Sequence, residues 1–227
     1  MKHIVSSETG FPQIRLAIAC ISSEVTNMTE KQFNDLSSLA SYLPSRRSGR
    51  PRDMIAPGPS KAQIEEIVTI ALRTPDHGKL APWRVVAVGD DQRSLFANGI
   101  HNAYLKERPE AGRMELESLE SMACLAPTLL VVMYSPVEST KIPLWEQELS
   151  CGAFVMNILH ATHAMGFVGG WITGWPAFNE DVRDLFGAKP EKIAGFLYLG
   201  TAGAELTERP RPELKNILSE WTPPAPQ

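Results

Sequence analysis

A helix that is apolar on nearly every side cannot lie on a protein surface, and residues 143–165 spell one. Pro143 stands at its start and Gly166 follows its end. Between them Leu149, Phe154, Val155, Met156, Ile158 and Leu159 leave no wholly polar face. Cys151, Gly152 and Ala153 are small enough to let a neighbour approach closely. Such a helix belongs at the centre of its fold, so the rest of the chain has to cover it.

Three runs are available to form a sheet beside it. Residues 128–134 contain the unbroken series Leu129-Leu130-Val131-Val132, which reads as a strand buried on both faces. Residues 193–200 form a second core strand, and Arg84 to Val88 a third. Several helices alternate with them. Thr29 as N-cap with Gln32 three positions on opens a helix whose Phe33, Leu36, Ala40 and Leu43 share a face, ending near Pro44. Ser60 with Gln63 makes a second capping box, followed by Ile64, Ile67, Val68 and Ala71 at helical spacing. Further helices are expected over residues 92–107 and 110–124, and a short one capped by Asn179. No repeat or linker divides the chain, so residues 28–227 are expected to form one domain, with 1–27 an extension or an added segment.

Composition narrows the function classes. Of the 227 residues 43% are hydrophobic and 21% charged, ordinary for a globular protein with a sizeable core. A net charge of -4, with no basic run interleaved with aromatics, argues against nucleic acid as a partner. Cys20, Cys124 and Cys151 are odd in number and widely spaced, which disfavours a disulfide framework or zinc site and fits a reducing cytoplasm. Polar or charged residues interrupt the longest apolar stretches well before 18 positions, so no membrane partner is expected.

Chemistry concentrates in three places. Between Ser45 and Arg52 stand Arg46, Arg47, Arg50 and Arg52 with Ser48 and Gly49, either a solvated basic loop or an anion site. Guanidinium groups grip phosphate bidentately, and glycine lets backbone approach. Residues 73–84 then place Arg73, Asp76, His77, Lys79 and Trp83 on a loop pinned by Pro75 and Pro82, either a connector or a wall for a flat polar ligand. The glycine- and tryptophan-rich residues 167–176 allow close backbone approach to a ligand but lack the dinucleotide fingerprint. Nucleophile elbow, Walker A and zincin motifs are absent. His160 and His163 share a helical face without an evident third metal ligand and read as core histidines. Glu146 and Glu148 could act as bases or complement a helix N-terminus.

Taken in order, Arg46-Arg47-Ser48, Arg73-x-Pro75-Asp76-His77 with Pro82-Trp83-Arg84, Trp145-Glu146-Gln147-Glu148, the segment Gly169 to Gly174, and Gly195 to Gly200 resemble a flavin-dependent nitroreductase of the small single-domain NAD(P)H branch. The resemblance spans residues 30–212. It implies an α+β sandwich, mostly antiparallel sheet flanked by helices, built as an intertwined homodimer with FMN between the chains. It implies a transient NADH or NADPH donor and a small-molecule acceptor such as a nitroaromatic or quinone, in a ping-pong cycle. By position, Arg46, Arg47 and Ser48 would meet the FMN phosphate and ribityl chain, Arg73 and His77 the flavin, and Trp171, Ile172 and Thr173 the isoalloxazine. Arg209 and Arg211 resemble a C-terminal basic pair that reaches the phosphate. No side chain need be catalytic, since the cofactor carries the chemistry. Ala81 departs from the pattern, where many members carry Gln. Other flavin chemistry (dehalogenation, ene-reduction, flavin fragmentation) and non-catalytic flavin storage are the alternatives within the same resemblance.

Overall fold

In the computed structural model, which describes residues 32–224, five strands form one antiparallel sheet. They are β1 (Met54–Ile55), β2 (Trp83–Val88), β3 (Thr128–Tyr134), β4 (Val168–Ile172) and β5 (Lys192–Ala202). The long β5 lies between β3 and β4, β2 pairs the outer side of β3, and β1 pairs the far end of β5. Around the sheet lie α1 (Leu39–Ser45), α2 (Lys61–Ala71), α3 (Arg93–Glu107), α4 (Arg113–Glu120), α5 (Leu144–Ala164), α6 (Trp175–Phe178) and α7 (Glu180–Asp184). This is the α+β arrangement that the sequence motifs imply.

Strand alternation explains how β3 can be apolar at every position. Successive side chains point to opposite faces. Leu129, Val131 and Met133 join Phe96 and Ile100 of α3, with Phe196 and Tyr198 of β5, in one core. Leu130, Val132 and Tyr134 join Ile67 and Ala71 of α2 and Phe154, Val155 and Ile158 of α5 in the other. The sheet is therefore a filled middle layer with helices on both faces. At about 25 cal/mol per Å2 of apolar surface, each fully buried Leu or Ile in it contributes roughly 1.5–3 kcal/mol.

Arg93 anchors the end of β2 from inside the protein. It is 8% exposed at the side chain. Its guanidinium donates to the carbonyls of Val88 (3.1 Å), Ala123 (2.8 Å) and Pro127 (3.2 Å). One charge thus satisfies three chain ends, the arrangement a buried cation requires.

Several expected boundaries differ, each for a local reason. Thr29 and the 27/28 boundary lie outside the described residues. The first helix begins only at Leu39, capped by Ser38, so Phe33 and Leu36 precede it. Asp35 accepts from the Ser37 N–H in a local turn that competes with helix, and Asn34 adopts φ 53°. Pro44 sits within the last turn rather than ending it. The polar helix over 110–124 divides into α4 and a 3-10 turn at Ser121–Cys124. β2 begins one residue early, at Trp83, and the glycine-rich segment contains the strand β4. Finally, α5 is covered along most of its length, but Leu144 (58% exposed), Trp145 (67%) and Leu149 (55%) are uncovered near its start.

Candidate functional site

The residues after α1 run as an extended segment against β4. The Gly49 N–H donates to the Gly169 carbonyl at 3.1 Å. A Cβ at Gly170 would stand 2.8 Å from the Gly49 carbonyl oxygen, so only glycine admits this approach. Arg47 is held at its own peptide. Its N–H donates to Asn34 Oδ1 (2.8 Å), and its carbonyl accepts from Asn34 Nδ2 (3.0 Å). The left-handed backbone of Asn34, a residue type that tolerates it, aims the amide at that peptide.

Onto this segment folds the chain that follows β5. Arg47 Nε donates to the Thr207 carbonyl at 2.6 Å, and Arg50 Nη2 to Thr207 Oγ1 at 3.4 Å. Arg46 Nη1 donates to Ser48 Oγ at 3.3 Å, and Arg211 pairs with Glu208 at 3.6 Å. A narrow polar cleft runs between Arg47, Ser48, Arg50 and Thr207. Burial first, then the charges of Arg211, Arg46 and Arg209, pull the Arg47 guanidinium below its usual range, while Glu208 opposes them. Arginine nonetheless stays charged at any physiological pH. Four guanidinium groups gathered from both ends of the domain repel one another, and an anion among them relieves that repulsion. The arrangement can bind phosphate.

Trp171 to Thr173 continue from the same strand. The Trp171 indole lies across β5, donating from Nε1 to the Ala194 carbonyl at 3.0 Å. A Cβ at Gly195 would collide with that Nε1, so the glycine makes room for the ring. The indole borders a mainly apolar groove with Cys151 and Gly152 of α5 and Lys192 and Ala194 of β5. Lys192 pairs there with Glu148 at 3.2 Å. Burial pushes the Cys151 thiol up to about 12, so it stays protonated and inert.

Arg73 and His77 stand on a different loop. Their loop is fixed to the first half of α5: Ser150 Oγ donates to the Pro75 carbonyl (2.8 Å) and Trp83 Nε1 to Ser150 Oγ (3.2 Å). Asn157 donates to Thr74 Oγ1 (2.7 Å), and Trp83 stacks on Phe154 with ring centroids 4.3 Å apart. Asp76 accepts from the Ala81 N–H at 2.7 Å. Gly78, Lys79 and Ala81 all have positive φ (77°, 58° and 47°), a tight and costly path for the last two. His77 Nδ1 meets Glu146 at 2.7 Å, in the first turn of α5.

The other cluster lies toward the opposite end of that helix. Tyr42, one turn before Arg46, reaches His160 Nδ1 and His163 Nδ1, both at 2.8 Å. From Glu146 to His160 is 160 − 146 = 14 residues, about 21 Å at 1.5 Å per residue. Thus Arg46, Arg47, Ser48, Arg209 and Arg211 come together against β4, the strand that leads into Trp171, Ile172 and Thr173. His77, by contrast, is bonded toward the far end of α5, and Arg73 precedes Thr74, which Asn157 holds. The sequence reading missed Asn34 and Tyr42. Asn34 carries no motif, and the only hint of Tyr42 is its one-turn spacing to Arg46.

An antiparallel layer between helices, with a basic loop braced on a glycine-rich strand, defines an α+β scaffold of the nitroreductase-like kind. The crystal structure of a nitroreductase-like family protein from Bacillus cereus superposes with a TM-score of 0.70 at 19% identity, covering 83% of this chain and 98% of that one. The structure of a point mutant of NfnB, described as an FMN and NADPH-dependent nitroreductase of sphigopyxis sp. strain HMH, gives 0.61 at 17% identity, covering 76% and 94%. The profile of the nitroreductase family matches residues 43–201, and the chain belongs to that family. It is therefore an oxidoreductase by class. Over 149 residues it is 33% identical to a protein of Escherichia coli strain K12 named "Putative NAD(P)H nitroreductase YdjA", covering 64% of this chain and 79% of that protein.

Proposed function

We propose that the protein is an FMN-dependent oxidoreductase that draws on NADH or NADPH to reduce nitroaromatics, quinones or related small acceptors. The observation that carries this reading is the convergence of Arg46, Arg47, Arg209 and Arg211 at the polar cleft against β4. The same strand carries Trp171 and its mainly apolar groove, so one strand offers a phosphate end and a ring end. The naming of similar proteins for NAD(P)H, and of NfnB for FMN and NADPH, supports the same choice of donor and cofactor.

When bound, FMN would supply hydride acceptance from the nicotinamide and electron delivery to the acceptor, in two half-reactions. The residues of the chain bind and orient. Arg46 and Arg47 offer charge-assisted donors and Ser48 a hydroxyl, each such charged contact contributing about 1.5–3 kcal/mol. Arg209 and Arg211 add positive charge from the C-terminal side. The backbone of Trp171, Ile172 and Thr173, beyond the glycine pair, offers N–H donors at the ring end, where negative charge is stabilised on reduction.

His77 enters this reading from a second copy, and the resemblance carries Arg73 with it as a flavin contact. Since roughly 21 Å of helix separates the contact of His77 at Glu146 from that of Tyr42 at His160, one ligand meets His77 and the arginine cluster most simply across a homodimer interface. The uncovered Leu144, Trp145 and Leu149 give α5 an apolar stripe for such a contact, in keeping with a helix that is apolar on nearly every side. In the same reading residues 28–227 act as one domain in the cytoplasm. Among the described residues no helix is long and apolar enough to cross a membrane.

The test is an absorption spectrum of the purified protein supplied with FMN, before and after NADH or NADPH. Retained flavin bands that bleach with the nicotinamide support the reading. A protein that stays colourless, or whose bands persist, overturns it.

A further inference from the structure

The end of α3 grips the chain that leaves β4, and neither the family motifs nor the proposed chemistry uses that grip. Three consecutive side chains reach three other elements. Lys106 Nζ meets both carboxylate oxygens of Asp181 in α7 at 2.8 Å. Glu107 Oε2 accepts from Trp175 Nε1 of α6 at 3.0 Å and from Asn179 Nδ2 at 3.3 Å. Arg108 pairs with Glu115 of α4 at 3.7 Å and lies over the Tyr104 ring, 5.4 Å from its centroid.

Glu107 is the last residue of α3, where the helix dipole is negative and disfavours a carboxylate. It is exposed, so burial does not hold it there. What it gains is two donors on one oxygen, both from the chain beyond β4. Asn179 is thereby fixed at both ends of its amide, since its Oδ1 accepts from the Val182 N–H of α7 at 3.1 Å. A residue that breaks a local rule of its own helix and bonds only outside it points to a role in what it holds.

What it holds is Trp175. The indole stands edge-on to Tyr104, with ring centroids 4.7 Å apart and planes at 90°. Tyr104 is 4% exposed and its hydroxyl donates to Glu115, so this wall is itself fixed. Just before Trp175, Gly174 has φ 74° and ψ -174°, a conformation essentially confined to glycine. The chain turns sharply there, and the Ala177 N–H closes the turn on the Gly174 carbonyl at 3.1 Å. Sheet pairing fixes the backbone up to Ile172, and Glu107 fixes it again from Trp175. Only Thr173 and Gly174 lie between the two anchors.

We propose that Glu107 is a positioning residue for the ring end: by holding Trp175 it sets where the Thr173 backbone N–H points. The proposal rests on the reading of that segment as the ring end of a flavin site. Glu107 acts through Trp175 and Gly174 on Thr173. The arginine loop is tied separately, at Gly169, so the phosphate end keeps its place when Glu107 is lost.

The test uses the full chain and the variants Glu107→Ala, Glu107→Gln and Trp175→Phe. Glutamine keeps an oxygen for both donors. Phenylalanine keeps a ring against Tyr104 but has no indole N–H. Amide exchange at residues 171–175 is followed by NMR without flavin, FMN and riboflavin are titrated, and the potential of the bound flavin is recorded. Glu107→Ala and Trp175→Phe should each speed exchange at Thr173 and Gly174 about fivefold, the loss of one ordinary hydrogen bond. They should weaken FMN and riboflavin by the same factor and lower the potential, because an N–H donor at the ring stabilises the reduced form. Glu107→Gln should behave as the parent. If the parent binds no flavin while exchange still quickens in both variants, the anchor stands and the flavin reading falls. If flavin binds and Glu107→Ala leaves exchange and potential unchanged, or Glu107→Gln fails as alanine does, the positioning role is overturned.

Discussion

Replacing Gly170 with alanine tests whether the brace between β4 and the arginine loop sets the phosphate end. The new Cβ would lie 2.8 Å from the Gly49 carbonyl oxygen and 3.4 Å from Pro51 Cδ and Cγ. A backbone oxygen cannot rotate aside, and the Gly49 N–H is already tied to Gly169. The loop or the strand must move by several tenths of an ångström. Overpacking of this kind costs about 1–3 kcal/mol, and loss of the Gly49–Gly169 hydrogen bond adds about 1 kcal/mol. Alanine offsets about 0.5–1 kcal/mol by reducing the freedom of the unfolded chain. The net expectation is a destabilisation of about 1–3 kcal/mol, or a Tm lower by about 5 °C for a chain of this size. FMN affinity should fall as well, because Arg46, Arg47 and Ser48 move with the loop. Thermal unfolding followed by flavin titration measures both. A variant with the parent's Tm and the parent's FMN affinity would refute the brace.

Other expectations concern the frame around the site. Glu191 accepts from Arg84 at 2.6 and 2.8 Å and also from the Ser135 hydroxyl. The Arg84 bonds foremost hold its carboxyl at about 2 against an ordinary 4.5, which at 1.36 kcal/mol per pH unit is about 3 kcal/mol, reduced to about 2 because Arg84 is 39% exposed. The folded carboxyl titrates below the unfolded one, so this stabilisation is complete above pH 4.5 and lost as pH falls toward 2. Glu191→Gln should therefore cost about 2 kcal/mol in urea unfolding at pH 7 and progressively less below pH 4.5; a pH-independent cost would contradict it. Arg93→Met strips three carbonyls of their donor and should cost about 3–5 kcal/mol in the same assay, while a loss under 1 kcal/mol would show that water replaces the guanidinium. Ala81→Gly relieves a left-handed backbone at φ 47° and should raise stability by about 0.5–1 kcal/mol; a lower Tm would show that the loop conformation is not strained.

What the sequence made legible follows the reach of each signal. The α2 capping box was readable because Ser60 and Gln63 are three residues apart and need nothing else. The buried character of β3 was readable because its apolar run leaves no face for water. α1 was not, because its start depends on Asn34 and Asp35 turning back toward Ser45 and Arg47, contacts ten or more residues away. β4 was hidden by composition. Its glycines are weak strand formers, and they stand there because Gly49 and Leu159 press against them.

The candidate site divides along the same line. Arg46 to Ser48 announce an anion site by density of charge, but the approach of Arg209 and Arg211 depends on the chain after β5 returning over Thr207. The loop over residues 73–84 showed its prolines and Trp83, and Trp83 does stack on Phe154 to hold it. The distance of His77 from the arginines could not be read, since it is set by the length of α5 and by the positions at which His77 and Tyr42 attach. The helix over residues 143–165 looked central and is central, except for the stripe at Leu144, Trp145 and Leu149. In the proposed homodimer, that stripe is the surface assigned to the second copy.

The most direct test compares FMN with riboflavin in the parent protein and in Arg47→Ala. The ligands differ only in the phosphate, so their ratio of affinities isolates the anion site. The account predicts that the parent prefers FMN, and that Arg47→Ala loses about 1.5–3 kcal/mol of FMN binding, roughly 10- to 150-fold, with riboflavin affinity unchanged. Equal affinities for the two ligands in the parent, or an FMN affinity untouched by the substitution, would contradict it.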